Sequence, residues 1–197
     1  SPWLDPLPER LRVSLRTAAG GSVVDVPPIE FGVTDLPETQ SRQALTLNLA
    51  ADGHLYIAGA AQSGRTTALR TLAGSLASSV SPFDVHLYAI DCGGGGLLPL
   101  VALPHCGAVV TRDQIDRCER LLTALANEVS RRQQLLAGAG FATLAEQRAT
   151  VASSDRLPWM VLLLDRWEGF VGAFEHYDYG RLVDAFIRLL REGAAVG

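Results

Sequence analysis

Between Gly59 and Thr67 the chain reads Gly-Ala-Ala-Gln-Ser-Gly-Arg-Thr-Thr, with glycine at the first and sixth positions, then a cation and two hydroxyls. Glycines so spaced let successive backbone N–H groups close around an oxyanion, and a hydroxyl directly after the cation can ligate a divalent metal. That is the chemistry of a phosphate-binding loop, G-x-x-x-x-G-K-[ST], in which Gly59, Ala60, Ala61, Gln62, Ser63, Gly64, Arg65, Thr66 and Thr67 would hold ATP and Thr66 would ligate Mg²⁺. One position departs from it. Where the pattern needs lysine the chain has Arg65, and all seventeen of its basic residues are arginine, so no lysine elsewhere can substitute. Arginine keeps the charge and binds phosphate in a bidentate way, but its planar head is bulkier than the ammonium that bridges two phosphates.

A second candidate lies a hundred residues on, in "VLLLDRWEGF". A strand-end aspartate beside such a loop holds the Mg²⁺ shell, and a neighbouring acid polarises the attacking water. Asp165 suits the first role. The residue after it is Arg166 rather than an acid, which leaves Glu168 as the nearby base candidate, so Asp165 and Glu168 form the catalytic set. An aspartate ending a strand is also a common helix cap, and this site gains its meaning from the loop. Asp91 ends the other apolar run, "DVHLYAID", and joins the nucleotide-binding set because ligands of open α/β sheets bind at the carboxyl ends of the strands.

These residues need elements to carry them. "HLYIA" reads as the first buried strand, leading into the loop. Leu69, Leu72, Leu76 and Val80 recur at helical spacing after it, Ser81-Pro82 closes that helix, and "DVHLYAID" is the next strand, which makes one βαβ unit. "GAVVT" then predicts a short strand, and Thr111 with Gln114 three residues later has the form of a capping box for a helix running to about Gly138. Its Ile115, Cys118, Leu122, Leu125 and Val129 form one apolar stripe. "WMVLLLD" is the most apolar run and predicts a central parallel strand buried on both faces. A last helix carries Leu182, Val183, Phe186, Leu189 and Leu190, and Gly193 suits its C-terminus. The first forty residues are proline-rich, with short alternating pieces "LRVSLR" and "SVVDV", so residues 1–44 read as a leading linker with edge strands and 45–197 as the core.

Composition narrows the functions. With 48% apolar residues in 197, the chain can bury one substantial core, so a single domain is expected. Its apolar runs are far shorter than the roughly 18 residues needed to span a bilayer, and Ser1 to Arg16 has no charged-then-apolar leader pattern, so no direct membrane contact by this segment is expected. The net charge of −4 and the absence of a basic run interleaved with aromatics give no footprint for a nucleic-acid backbone. Cys92, Cys106 and Cys118 are an odd set without CxxC spacing, which argues against a disulfide framework and against a metal cluster. His105 beside Cys106 lacks a second ligand pair and reads as a loop histidine next to a small buried residue.

The segment "DVHLYAIDCGGGGLLPLVALPHCGAVVTRDQIDRCERLLTALANEVSRRQQLL" resembles the stretch between the two nucleotide motifs of FtsK/SpoIIIE-type ATPases, especially actinobacterial ones related to the EccC motor of type VII secretion. With "PWLDPLPERL", "GAAQSGRTTALRTLAG", "LLLDRWEGF" and "LLREGAAVG", the resemblance covers most of the chain, and the glycine cluster Gly93 to Gly96 is its most distinctive part. It implies a RecA-like P-loop NTPase of the α/β class, a mostly parallel sheet flanked by helices, with the C-terminal strands of the full domain absent. It also implies ATP and Mg²⁺ as cofactors, and a cytoplasmic domain of a membrane-associated, multi-ATPase translocase. The implied partners are neighbouring ATPase domains of the same chain or ring, and a protein substrate's signal segment or DNA at family level. Because Arg65 and Arg166 depart from the active pattern, the chain is expected to bind nucleotide with little or no hydrolysis. An active motor driving DNA translocation or protein secretion is the alternative.

Overall fold

The structure, a computed structural model, describes residues 4–8, 11 and 25–197. All but the first residue of "LRVSLR" and most of "SVVDV", expected as edge strands, lie outside them. The described part begins with an antiparallel hairpin, β1 (Ile29–Leu36) and β2 (Ser41–Leu47), joined by a single 3-10 turn. The composition change near Leu45 falls inside β2, so a division between residues 44 and 45 would cut through a paired strand.

The core follows as α1 (Arg65–Ser79), β3 (Val85–Asp91), β4 (Cys106–Thr111), α2 (Ile115–Gly138), α3 (Leu144–Thr150), β5 (Trp159–Asp165), α4 (Trp167–Phe174) and α5 (Arg181–Glu192). The sheet has the order β4-β3-β5 and is parallel throughout. Alternation along β3 divides two apolar layers. Val85, Leu87 and Ala89 pack with Leu72 and Leu76 of α1 and with Ile29 and Leu47 of the hairpin. On the opposite face Ile90 and Val110 pack with Cys118 and Leu122 of α2, Phe170 and Phe174 of α4 and Phe186 of α5. The helical stripes expected from the sequence are those that face the sheet, except that Ile115 and Leu190 stay substantially exposed.

Three expectations are corrected. "HLYIA" has strand-like composition but forms no ladder among the described residues, and Leu55 and Tyr56 are 45% and 79% exposed. A strand exists only where its backbone groups find a partner, and between this segment and β5 lies a largely apolar cleft of about 640 Å³. The segment is tied instead to α5, through His54 Nε2 at 2.7 Å from the Leu190 carbonyl oxygen. The central strand is β3, not β5: β5 stands at the sheet's edge and is only partly buried at Val161, Leu162 and Leu164. Lastly, α2 is capped at Gln114, three residues after Thr111. Gln114 Oε1 does accept the Thr111 N–H at 3.3 Å, but a side-chain N-cap forms at α3 instead, where Thr143 Oγ1 accepts the Glu146 N–H and Glu146 Oε2 reaches back to the N–H of Ala142, one residue before the cap.

Two buried arginines brace this frame. Arg148, 1% exposed, donates to Asp25 and Asp84 carboxylates, each at 2.7 Å, and to the Leu157 carbonyl, and thereby joins α3 to the start of β3 and the approach to β5. Arg132 donates to Glu128 and to the Val196 and Gly197 carbonyls. The hydrogen bond from Arg131, with Arg132 adding to it, holds the Glu128 carboxyl down at about 2. A carboxyl whose pKa falls on folding stabilises the fold above its ordinary pKa, and the contribution is lost as pH falls through the folded value. Replacing Arg148→Met should cost about 2–3 kcal/mol in urea unfolding, because two partly buried carboxylates lose their partner. The penalty of Glu128→Gln should be full at pH 7 and shrink from pH 4.5 toward 2, followed by the urea midpoint at each pH.

Candidate nucleotide site

Parallel pairing in register makes Asp91 and Asp165 direct partners at the carboxyl ends of β3 and β5, and each is 2% exposed. Buried carboxylates must be compensated, and here the two are compensated differently. Asp91 Oδ1 accepts the N–H groups of Gly93 and Gly95 at 2.9 and 3.3 Å, and its Oδ2 accepts that of Leu97 at 2.7 Å. Its oxygens therefore hold the glycine cluster in place. Asp165 Oδ2 instead accepts the Thr66 hydroxyl at 2.9 Å, across 99 residues of sequence. That contact seats the start of α1 on the sheet edge.

The glycines around the pair are spaces as well as hinges. A Cβ on Gly93 would stand 2.7 Å from Asp165 Oδ2, one on Gly96 2.5 Å from the Thr66 methyl, and one on Gly59 would strike Ser63 Oγ. Gly64 precedes α1 in the left-handed region at φ 93°, and Gln62 lies there too at φ 63°. Among the described residues the amides of Arg65, Thr66 and Thr67 have no hydrogen-bond acceptor, as is usual for the first turn of a helix, where the dipole adds positive charge. A glycine-lined turn, free amides at a helix start and a hydroxyl–carboxylate pair fit a phosphate chain and its Mg²⁺. Thr66 and Asp165 are the residues that would hold the metal. No group of three or more His, Cys, Asp or Glu among the described residues could hold a metal by itself.

Arg65 points across the site. Its Nη2 donates to Glu168 Oε1 at 3.1 Å, with the two side chains 26% and 60% exposed. Glu168 sits in the first turn of α4, where its own backbone N–H, with help from Arg65, holds its carboxyl below the ordinary carboxylate range. Arg166, the residue between Asp165 and α4, adopts φ 64°, an uncommon conformation for a side chain with a Cβ. The pairing of Arg65 with Glu168 was not foreseeable from spacing, since 103 residues separate them. His105 and Cys106 stand apart from the site, and His105 is buried with Nε2 at 2.8 Å from the Val80 carbonyl oxygen. Cys92 adjoins the site, following Asp91 and donating its N–H to the Asp165 carbonyl at 3.1 Å, and burial pushes the Cys92 and Cys118 thiols up to about 12 and 11.

A glycine loop opening a helix, an acid at the end of a parallel strand and a hydroxyl bonded to that acid define a RecA-like P-loop domain. The family model that matches is FtsK/SpoIIIE, over residues 24–183, and the chain belongs to that family. It is 33% identical over 99% of its length to the ESX-4 secretion system protein EccC4 of Mycobacterium tuberculosis, of which it spans 16%. It is 27% identical, again over 99%, to the type VII secretion system protein EssC of Staphylococcus aureus, of which it spans 13%. Among solved structures, the cytoplasmic domain of the Thermomonospora curvata type VII secretion ATPase EccC superposes with a TM-score of 0.79 at 29% identity, covering 98% of this chain and 24% of that one. A second structure of that EccC, its ATPases 2 and 3 in complex with a signal sequence peptide, also has a TM-score of 0.79, at 28% identity, and covers 98% of this chain and 37% of that one. The chain is thus an FtsK/SpoIIIE-type ATPase domain similar to those of EccC and EssC type VII secretion proteins, in relatives that carry further ATPase domains. No helix among its described residues is long and apolar enough to cross a membrane.

The packing against the acids gives a test. Gly93→Ala should lower stability by about 1–3 kcal/mol, because its methyl must displace the Asp165 carboxylate. Gly94→Ala, with nothing within 4 Å, should change it by less than about 0.5 kcal/mol. Urea titrations of the two variants read the difference.

Proposed function

We propose that the domain binds ATP with Mg²⁺ through the loop of Gly59 to Thr67 and turns it over little or not at all. It would act as a nucleotide-binding and docking module in a type VII secretion translocase. The observation that carries this reading is the division within the site. The Thr66–Asp165 contact keeps a metal-binding geometry, while Arg65 replaces the bridging ammonium and is itself paired with Glu168, the base candidate. A glutamate held ionised by its own backbone N–H, with help from an arginine, is in the right protonation state for a base but is committed to another partner. The Asp91 carboxylate would contribute by holding the glycine cluster beside the phosphates.

As a member of a chain with several ATPase domains, the module would pack against its neighbours and sit on the cytoplasmic side of a membrane-associated protein. Its protein partner would be a substrate's signal segment, by analogy with the peptide complex of the Thermomonospora curvata relative. The second reading is an active motor moving protein or DNA, and the preserved Thr66–Asp165 contact favours it. For DNA the net charge of −4 offers no support.

Phosphate release separates the two. Assembled with its neighbouring domains, this site should hydrolyse ATP far below about 1 per second, near the low end of ordinary enzymes. Arg65→Lys with Arg166→Glu should raise the rate at least about tenfold. Turnover near 1 per second in the unmodified assembly, lost in Asp165→Ala, would establish the motor instead.

A further inference from the structure

The pairing of Arg65 with Glu168 bears on which nucleotide the loop holds best. In a loop of this form the residue at position 65 carries the charge that reaches the outer phosphates, while the backbone amides surround the inner ones. Here that charge is already taken, by a carboxylate at 3.1 Å. A nucleoside diphosphate can occupy the amides of the α1 start and meet Thr66 and Asp165 through Mg²⁺ with the ion pair intact. A triphosphate must either draw Arg65 off Glu168 or leave its terminal phosphate next to an ionised carboxylate without its cation. Both routes weaken its binding.

We propose that Glu168 is a specificity residue, which competes with the terminal phosphate for the Arg65 guanidinium and so shifts the loop's preference from nucleoside triphosphates toward diphosphates. The proposal rests on the nucleotide-binding reading above. The pair is partly exposed, so the competition is modest and is screened by salt. Glu168 is therefore a regulator of which nucleotide resides in the loop, and a positioning partner of Arg65, rather than a base awaiting water.

Calorimetric titration of this chain with ADP and with ATP, each in Mg²⁺ at low ionic strength, tests it. Glu168→Gln should raise the ratio of ATP affinity to ADP affinity at least twofold. Glu175→Gln, which removes an exposed carboxylate at the far end of α4, should leave the ratio as it is. In an Arg65→Ala background, Glu168→Gln should change the ratio less than twofold, because the competition has lost its object. A ratio that moves less than twofold in Glu168→Gln alone overturns the proposal while nucleotide binding stands. An equal gain with and without Arg65 overturns it too, since plain charge repulsion would then suffice. If neither nucleotide binds in any variant, the nucleotide reading falls and takes this one with it.

Discussion

The structure depends on one register. Because β3 and β5 run parallel and in step, Asp91 and Asp165 arrive together at the sheet's carboxyl edge, both nearly excluded from solvent. Two buried carboxylates side by side are costly unless each is supplied with donors. The chain meets that demand from two directions. The backbone of Gly93 to Leu97 wraps Asp91, and the hydroxyl of Thr66 reaches Asp165 from α1. The glycine cluster is then a packing requirement as well as a flexible connection, since a side chain at Gly93 or Gly96 would occupy space that the acid or the threonine already fills. The glycine loop before α1 is thus held at the sheet edge by the contact that satisfies a buried charge.

The same frame explains why the site is ordered on one side and open on the other. Thr66 and the apolar face of α1 fix the loop's downstream end, whereas residues 53–60 join no sheet, and residues 53–57 border an apolar cleft beside β5. Arg65 and Glu168 meet at one end of that cleft. Trp167, next to Glu168, packs its ring on Phe170 and Phe186, so the turn carrying the glutamate is anchored in the aromatic cluster that covers the sheet. Whatever draws Arg65 toward a phosphate must separate it from a glutamate carried on that anchored turn.

Much of this was legible in the sequence, and the exceptions have physical causes. β3, β4 and β5, the long stripe of α2 and the loop at the start of α1 all follow from local period, apolar content and glycine placement. "HLYIA" has the same local signature as those strands, yet strand formation is decided by a neighbour, which no local pattern supplies. The edge position of β5 is likewise a property of the sheet rather than of its own seven residues. α3 carries its signal openly in Thr143 and Glu146, and α4 is a single eight-residue helix packed directly behind Asp165. Arg132 and Arg148 were unreadable as core residues because charged side chains are buried only when partners are found; apart from Glu128, one turn from Arg132, the partners that bury them come mostly from distant segments. For the same reason the loop cation could be identified at Arg65, but the carboxylate that holds it could not.

The central claim is that the amides opening α1, with the Thr66–Asp165 pair, form the phosphate site. Amide NMR spectra of the ¹⁵N-labelled chain, recorded as ADP is titrated in Mg²⁺, test it most directly. The account predicts that the largest, saturable shifts fall on Gly64, Arg65, Thr66 and Thr67, and that they collapse in Asp165→Ala. Shifts confined to residues lining the apolar cleft beside β5, or no saturable shift at millimolar nucleotide, would contradict it.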